Sequence, residues 1–323
     1  MLIERLSKES GLGVGRLQYF AGSASKRYFV FSIPKAAGGL REIAHPARPL
    51  KSVQRWLNSQ YLLNLPVHPA AMAYRKGVNI RDNALQHAAF RYTVRIDFRD
   101  FFPSFSMEHV VEFLEGEKNR IFINSGDVRF VGNLVSRHGG LTIGAPTSPV
   151  LTNAMMYSFD RALFEFCQNN AMVYTRYADD LFISTDVPNA LSGAYNFVRD
   201  QCSLFQFSDL RINSKKTVFL SRKYHREITG LVITPDRKVS LGRNRKREIK
   251  SLIFQAIKGD ISQDRLEYTR GLISFASDVE PSFMTSLANK YGEDFWWTLQ
   301  HRYKPLPTSF AKLEDLDPPP KPA

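Results

Sequence analysis

Residues 172–184 read MVYTRYADDLFIS. Two apolar runs flank a short Ala-Asp-Asp turn, which predicts a β-hairpin with Asp179 and Asp180 at its tip. Adjacent carboxylates repel, so placing them together costs free energy. Taken alone, the pair reads as a solvated turn. Its surroundings change that reading: Ala178 is small, both flanking strands are apolar, and a third carboxylate ends a separate strand. That strand covers residues 91–98, where Tyr92, Val94, Ile96 and Phe98 alternate with Arg91, Thr93, Arg95 and Asp97. One face is apolar, and Asp97 leaves on the polar face at the strand end. Three convergent carboxylates on rigid strands suit two magnesium ions roughly 3.5–4 Å apart. One ion acidifies an attacking hydroxyl and the other holds a triphosphate and its leaving pyrophosphate.

Outward from these strands the pattern is mixed helix and strand. Pro103 breaks the chain, and residues 106–117 read as a helix capped by Ser106. Residues 148–167 read as one helix, with Ser148 as cap and Pro149 in its first turn. Its buried face would be Val150, Leu151, Ala154, Met155, Phe159, Ala162, Leu163 and Phe166. Upstream, residues 26–34 and 40–46 flank a turn at 36–39, and residues 49–63 have helical spacing. Downstream, a helix is expected near 190–206, then short strands at 217–221 and 228–234. From Pro235 the chain reads as mostly helical and opens with the basic run GRNRKREIK at 242–250. The last residues, 315–323, are Pro-rich and read as a disordered or extended tail.

Lys and Arg number 44 against 31 Asp and Glu, a net charge of +13. Such an excess favours a polyanion, because phosphate binding releases condensed counterions. Cys167 and Cys202 are the only cysteines and form no CxxC pair, so neither zinc nor a disulfide framework is indicated. The N-terminal residues carry charges throughout, and no stretch is long and apolar enough to span a bilayer. A soluble cytoplasmic protein with reduced thiols and no membrane partner is the expectation.

YADD at 177–180 resembles the catalytic box of reverse transcriptases. RIDFRDFFPSF at 95–105 resembles their first aspartate motif, and LTIGAPTSPVLTNAM at 141–155 their template- and nucleotide-contacting motif. INSKKT at 212–217 resembles their lysine motif, and all four stand in the family's order between about Arg41 and about Thr234. NALQH at 83–87 matches the NAxxH motif of bacterial retron reverse transcriptases, in the group II intron-like superfamily. ITG at 228–230 is similar to their VTG, with Ile228 in place of valine.

The resemblance implies an α+β right-hand polymerase with an antiparallel palm sheet backed by helices. Fingers would cover 1–90, a palm with inserted fingers helices 91–235, a helical thumb 236–314 and the tail 315–323. It implies an RNA-directed DNA polymerase using two Mg2+ ions. Such an enzyme recognises its own structured noncoding RNA and primes from the 2′-hydroxyl of an internal guanosine. The product is a branched RNA–DNA hybrid, multicopy single-stranded DNA. The implied partners are that RNA as template and primer, the hybrid product, deoxynucleoside triphosphates, host RNase H, and an effector protein of an antiphage system.

Roles follow motif by motif. Asp97, Asp179 and Asp180, with the backbone carbonyl of Phe98, are the implied metal ligands. Phe102 holds the position of the steric gate against a ribose 2′-hydroxyl, with a core aromatic beside Phe101 and Phe105 as the alternative. Arg41 falls where the fingers hold a triphosphate, unless it is a solvated hairpin arginine. Lys215 is assigned to the substrate, with Lys216 as its rival for the leaving phosphate. Gly144 and Ala145 are small enough to let a base pair approach the backbone. Thr142 and Ile143 replace the usual Pro-Gln, so the glutamine contact does not carry over. Asn83 and His87 would share a helix face and are assigned to RNA or priming, with buttressing of the fold as the alternative. Thr229 and Gly230 are assigned to nucleic acid with them. Arg243, Arg245, Lys246, Arg247 and Lys250 would grip phosphates, where a charge run is otherwise a solvated face. Two rivals remain. A group II intron protein needs a maturase or endonuclease region for which this length leaves no room. A decayed nucleic-acid-binding scaffold would not be expected to keep all three carboxylates.

Overall fold

Two short helices, α1 (Leu2–Ser10) and α2 (Val14–Gly22), precede a two-stranded ribbon of β1 (Tyr28–Pro34) and β2 (Leu40–Pro46). The ribbon is antiparallel with Tyr28 opposite Pro46, in keeping with two strands expected on either side of a turn. The structure is a computed structural model that describes residues 1–35 and 38–301, with side chains to 292. The turn residues Ala36 and Ala37, the end of the expected thumb and the expected tail lie outside the described residues.

Helix α3 (Arg48–Gln60) stops short of the expected 63, where Tyr61 leaves helical space at φ −134°. In α4 (Ile80–Ala88), Asn79 and Asp82 cap each other's backbone N–H groups at 3.0 and 2.9 Å. Next come β3 (Tyr92–Asp97), α5 (Met107–Glu117) and α6 (Ser125–Val135). Ser106 caps α5 as expected, accepting from the His109 N–H at 3.1 Å.

The single helix expected over 148–167 is two helices, α7 (Thr147–Met155) and α8 (Tyr157–Asn169). Met156 has ψ 0°, which breaks the ladder, and Thr152 Oγ1 donates back to the Ser148 carbonyl at 2.9 Å. Apolar residues continue at helical spacing through the break, so the pattern did not reveal it. The N-cap is Pro146, not Ser148.

The central sheet completes with β4 (Met172–Tyr177), β5 (Asp180–Thr185) and, after α9 (Leu191–Leu204), β6 (Val218–Ser221). Its order is β4-β5-β3-β6, antiparallel throughout. Val94 and Ile96 pair with Ile183 and Leu181, all fully buried, on the face that packs on α8 and α9. The opposite face, expected to be polar, carries Thr93 and Ser184; it is covered by α4, and both residues are 0% exposed.

Residues 228–234, expected as one strand, form part of a second sheet of β7 (Arg226–Ile228), β8 (Leu231–Ile233) and β9 (Val239–Ser240). Thr229 and Gly230, at φ 48° and 80°, are the two-residue turn between β7 and β8. Positive φ at both central residues matches the twist of paired strands. Helices α10 (Arg243–Lys258), α11 (Gln263–Val279) and α12 (Pro281–His301) follow. The chain divides into two compact units, the first Met1–Ser240, the second beginning at Leu241. The class is α+β, with an antiparallel sheet backed by helices. No described helix is long and apolar enough to cross a membrane.

Candidate active site

The register of β3 against β5 sets Asp97 directly opposite Asp180. Asp179 lies in the turn before β5, after Ala178 at φ 57°. The Phe98 N–H donates to the Asp179 carbonyl at 3.2 Å, tying the turn to the end of β3. Asp97 and Asp180 therefore share one face at the end of the two inner strands, with Asp179 in the adjoining turn. Burial raises the Asp179 carboxyl, and Asp97 adds to the rise. Asp180 is pushed up to about 6, first by burial and then by Asp179. The cluster is short of positive charge.

Asp97 carries most of the compensation present. Its Oδ1 accepts from Asn213 Nδ2 at 2.9 Å, its Oδ2 pairs with Lys216 Nζ at 3.1 Å, and its carbonyl accepts from the Asn213 N–H at 2.7 Å. Among the described residues no group of three acidic, His or Cys side chains stands arranged as a metal cage. The donor chemistry nevertheless fits: several carboxylate oxygens with surplus negative charge suit a hard divalent cation.

A cleft opens over Asp97 and Asp179, lined also by Arg41, Tyr74, Phe102 and Lys216, while Asp180 does not line it. Of the three motif aromatics, Phe101 is buried and stacks on Phe98 at 5.8 Å, and Phe105 is fully buried. Phe102 is half-buried, packs edge-on against Phe101 at 5.5 Å and lines the cleft beside it. Arg41 is exposed on β2, lines the cleft and draws the Asp179 carboxyl down, against the effect of burial.

Other expectations are corrected. Lys215 is exposed and does not line the cleft, whereas Lys216 lines it and pairs with Asp97. The Lys216 and Thr217 N–H groups both donate to the Asn213 carbonyl at 3.0 Å, a turn that brings Lys216 back over Asp97. Gly144 has φ 110°, and a Cβ there would stand 2.7 Å from the Ala44 carbonyl oxygen. Its glycine serves the close approach of β2, whose Ala44 N–H donates to the Ile143 carbonyl at 2.9 Å. Ala145 is buried and so does not face a base pair, whereas Gly144 is exposed.

Asn83 and His87 are both 0% exposed, so the structure places them out of reach of RNA. Their shared face of α4 is the face packed on the sheet. The Thr175 hydroxyl donates to Asn83 Oδ1 at 2.6 Å and also bonds His87 Nε2 at 2.7 Å. Its single proton is thus used, which places the ring proton on Nε2. Nδ1 then accepts from Ser184 Oγ at 2.8 Å, and Ser184 from Thr93 Oγ1 at 2.7 Å. Burial, with Arg226 second, pushes His87 down to about 3, so the ring is neutral.

Thr229 and Gly230 sit at the β7–β8 turn, and Thr229 Oγ1 donates to the Ile80 carbonyl at 3.3 Å. Buried Arg226 donates to the Ala88 carbonyl at 3.1 Å and to the Phe90 carbonyl. NALQH and ITG, far apart in sequence, therefore form one unit in which the hairpin secures both ends of α4. On α10, Lys246 pairs with Glu280 at 2.5 Å and Arg245 lies over the Phe275 ring at 5.2 Å. Lys250 is exposed beside Phe283, and Arg243 and Arg247 are exposed. The basic run is thus divided between contacts within its own unit and outward charge.

Asn213, Tyr74 and Arg176 were not singled out from the sequence. Arg176 left a signal, a charged residue inside the apolar strand 172–177. Asn213 lay within the INSKKT motif without being assigned a role, and Tyr74 left no signal.

A family model described as Reverse transcriptase (RNA-dependent DNA polymerase) matches residues 33–255. The retron Ec83 reverse transcriptase of Escherichia coli is 37% identical over 272 residues, covering 82% of this chain and 87% of that protein. The retron Ec86 reverse transcriptase of Escherichia coli is 29% identical over 302 residues, covering 90% of each. Among solved structures, apo telomerase from Candida tropicalis aligns with a TM-score of 0.47 at 12% identity over 84% of this chain. This chain spans 60% of the length of that telomerase chain.

Proposed function

Because this chain belongs to the bacterial retron reverse transcriptases, it is an RNA-directed DNA polymerase of right-hand fold, and we propose that it copies its own structured noncoding RNA from an internal 2′-hydroxyl into a branched RNA–DNA hybrid. The observation that carries the site assignment is the in-register pairing of Asp97 with Asp180, beside Asp179, with Asp97 and Asp179 lining the cleft. Asp97, Asp179 and Asp180, with the Phe98 carbonyl, would hold the divalent metal ions that polymerases of this family use, which we take to be magnesium. Bound there, such ions lower the pKa of an attacking hydroxyl and neutralise charge on a triphosphate. The chain supplies the rest. Arg41 offers a forked donor to the triphosphate. Lys216 replaces Lys215 as the lysine facing the leaving phosphate. The Phe102 ring occupies the space a ribose 2′-hydroxyl would need.

The joined NALQH–ITG unit supports the retron reading in particular. It backs the β4–β5 hairpin through His87, so its influence on priming runs through the shape of the catalytic hairpin, while the Thr229–Gly230 turn stands at its outer edge. The partners in this reading are the cognate RNA as template and primer, deoxynucleoside triphosphates and the hybrid product. Host RNase H trims the template, and an effector protein joins the enzyme in an antiphage system.

The test is the linkage in the product. DNA made in cells that express the protein with its RNA is purified and treated with an enzyme that cuts 2′,5′ bonds. The expected result is release of DNA from a short RNA. Linear DNA with a free 5′ end and no attached RNA would overturn self-priming, though not RNA-directed synthesis.

A further inference from the structure

Arg176 lies in β4 just before the YADD turn, and its side chain is 0% exposed. Two nitrogens grip one carboxylate: Nε donates to Asp160 Oδ1 at 2.8 Å and Nη2 to Oδ2 at 2.7 Å. A guanidinium is costly to bury, and a bidentate carboxylate offsets that cost. The third nitrogen faces elsewhere. Nη1 donates to Asn153 Oδ1 at 3.1 Å and to the Ala178 carbonyl at 3.2 Å.

Both targets lead to the cleft. Ala178, at φ 57°, is a non-glycine residue in the left-handed region immediately before Asp179. A residue held in that region persists only where its surroundings enforce it. Asn153 extends the network, its Nδ2 donating to the Ala73 carbonyl at 2.9 Å. The next residue, Tyr74, is also left-handed at φ 60°, is 56% exposed and lines the cleft with Asp179. The backbones are tied as well: the Met72 N–H donates to the Arg176 carbonyl at 2.7 Å, and the Arg176 N–H to the Ala70 carbonyl at 2.8 Å.

We propose that Arg176, with Asp160 and Asn153, is a positioning device that holds the Ala178–Asp179 turn and Tyr74 in one frame for nucleotide addition. One planar cation reaches the peptide before the aspartate directly, and the peptide before the tyrosine through one amide. Arg176 touches no substrate. It sets where two cleft residues stand relative to each other. The inference rests on the assignment of Asp179 to the reaction.

The test uses the full chain on an RNA template with an annealed DNA primer, which avoids any dependence on self-priming. Arg176→Lys keeps the charge and loses the fork, while Asn153→Ala leaves the ion pair intact and cuts the link to Ala73. Asp127→Asn is the control, a buried carboxylate on α6 that accepts the Leu2 and Ile3 N–H groups at 2.8 and 3.2 Å. Four quantities are measured: melting temperature, template–primer affinity, kcat and KM for one addition, and amide exchange of the peptide over 172–181 without metal.

Arg176→Lys and Asn153→Ala should lower kcat by roughly tenfold to a hundredfold, since small misplacements are costly in rate. Template–primer affinity should hold, and exchange over 172–181 should quicken. Asp127→Asn should lower the melting temperature alone. Parent-like kcat in Asn153→Ala well below its melting temperature, or unchanged exchange over 172–181, would overturn the proposal. Should Arg176→Lys not fold, Asn153→Ala carries the test. Asp179→Asn separates the two layers. If it still extends the primer, the site assignment fails. If it is inactive while Asn153→Ala behaves as the parent, only the positioning device fails.

Discussion

Phe101 and Phe102 are neighbours in sequence that differ in burial. Both border the cleft, but Phe101 is buried and stacks on Phe98 while Phe102 is half-buried. Phe102→Ala should raise ribonucleotide incorporation relative to deoxyribonucleotide, because a smaller side chain admits the 2′-hydroxyl. Competition between the two sugars on one template measures it. Unchanged discrimination in a folded variant would return Phe102 to a packing role. His87 gives a second test at this scale. Its folded pKa is lowered from 6.5 to about 3. The unfolded chain takes up a proton below about 6.5, and the fold does not until far lower pH. The contribution is therefore complete above that pH and is lost as pH falls toward the folded value. At one pKa unit per 1.4 kcal/mol, the loss between pH 7 and pH 5 is about 2 kcal/mol. Denaturant unfolding of His87→Gln at the two pH values should show a smaller drop than the parent, and an equal drop would mean the ring is not held neutral. The three aspartates were legible because alternation fixes where a strand's last residue points. The spacing of Asn83 and His87 was legible too, but periodicity does not say which partner covers a helix face.

At the scale of elements, both hairpins and the capped helix α5 were readable, since each carries a local signal of turn or cap. The α7–α8 break was not, because Met156 continues the apolar pattern while its ψ leaves helical space. Nor was the division of 228–234 into a turn and a strand, since a threonine at positive φ is rarely expected. Gly144 shows how a family motif is legible while its reason is not. The sequence marks a small residue, and only the fold shows the Ala44 carbonyl against it. Gly144→Ala should cost about 1–3 kcal/mol, the usual range for a strained backbone. It should also push the β1–β2 ribbon away and carry Arg41 with it, raising KM for deoxynucleoside triphosphates. Unfolding curves with steady-state kinetics test both parts, and parent-like values for each would show that the close approach of the two backbones is not what demands glycine.

For the whole molecule, the composition already pointed to a polyanionic partner through its net charge of +13. Pro235 looked like the start of a helical region, yet the first unit runs on to Ser240. The Thr234 N–H bonds the Lys238 carbonyl at 2.9 Å, so Pro235 opens a turn into β9. In the second unit, Arg243 and Arg247 are the outward arginines of α10, while Lys246 is held by Glu280. Replacing Arg243 and Arg247 by Gln should flatten the plot of log affinity against log salt by roughly 0.7–0.9 for each phosphate the protein no longer neutralises. A slope equal to the parent's would make this a solvated face.

Catalysis by the carboxylate cluster is tested most directly by extension of a DNA primer on an RNA template, with magnesium, by the parent and by Asp179→Asn. The parent is expected to add deoxynucleotides only when a divalent ion is supplied. Asp179→Asn should bind the same duplex as the parent does and add none, because the charge that stabilises the transition state is gone. Extension by Asp179→Asn at the parent's rate, or by the parent without any divalent ion, would contradict the assignment.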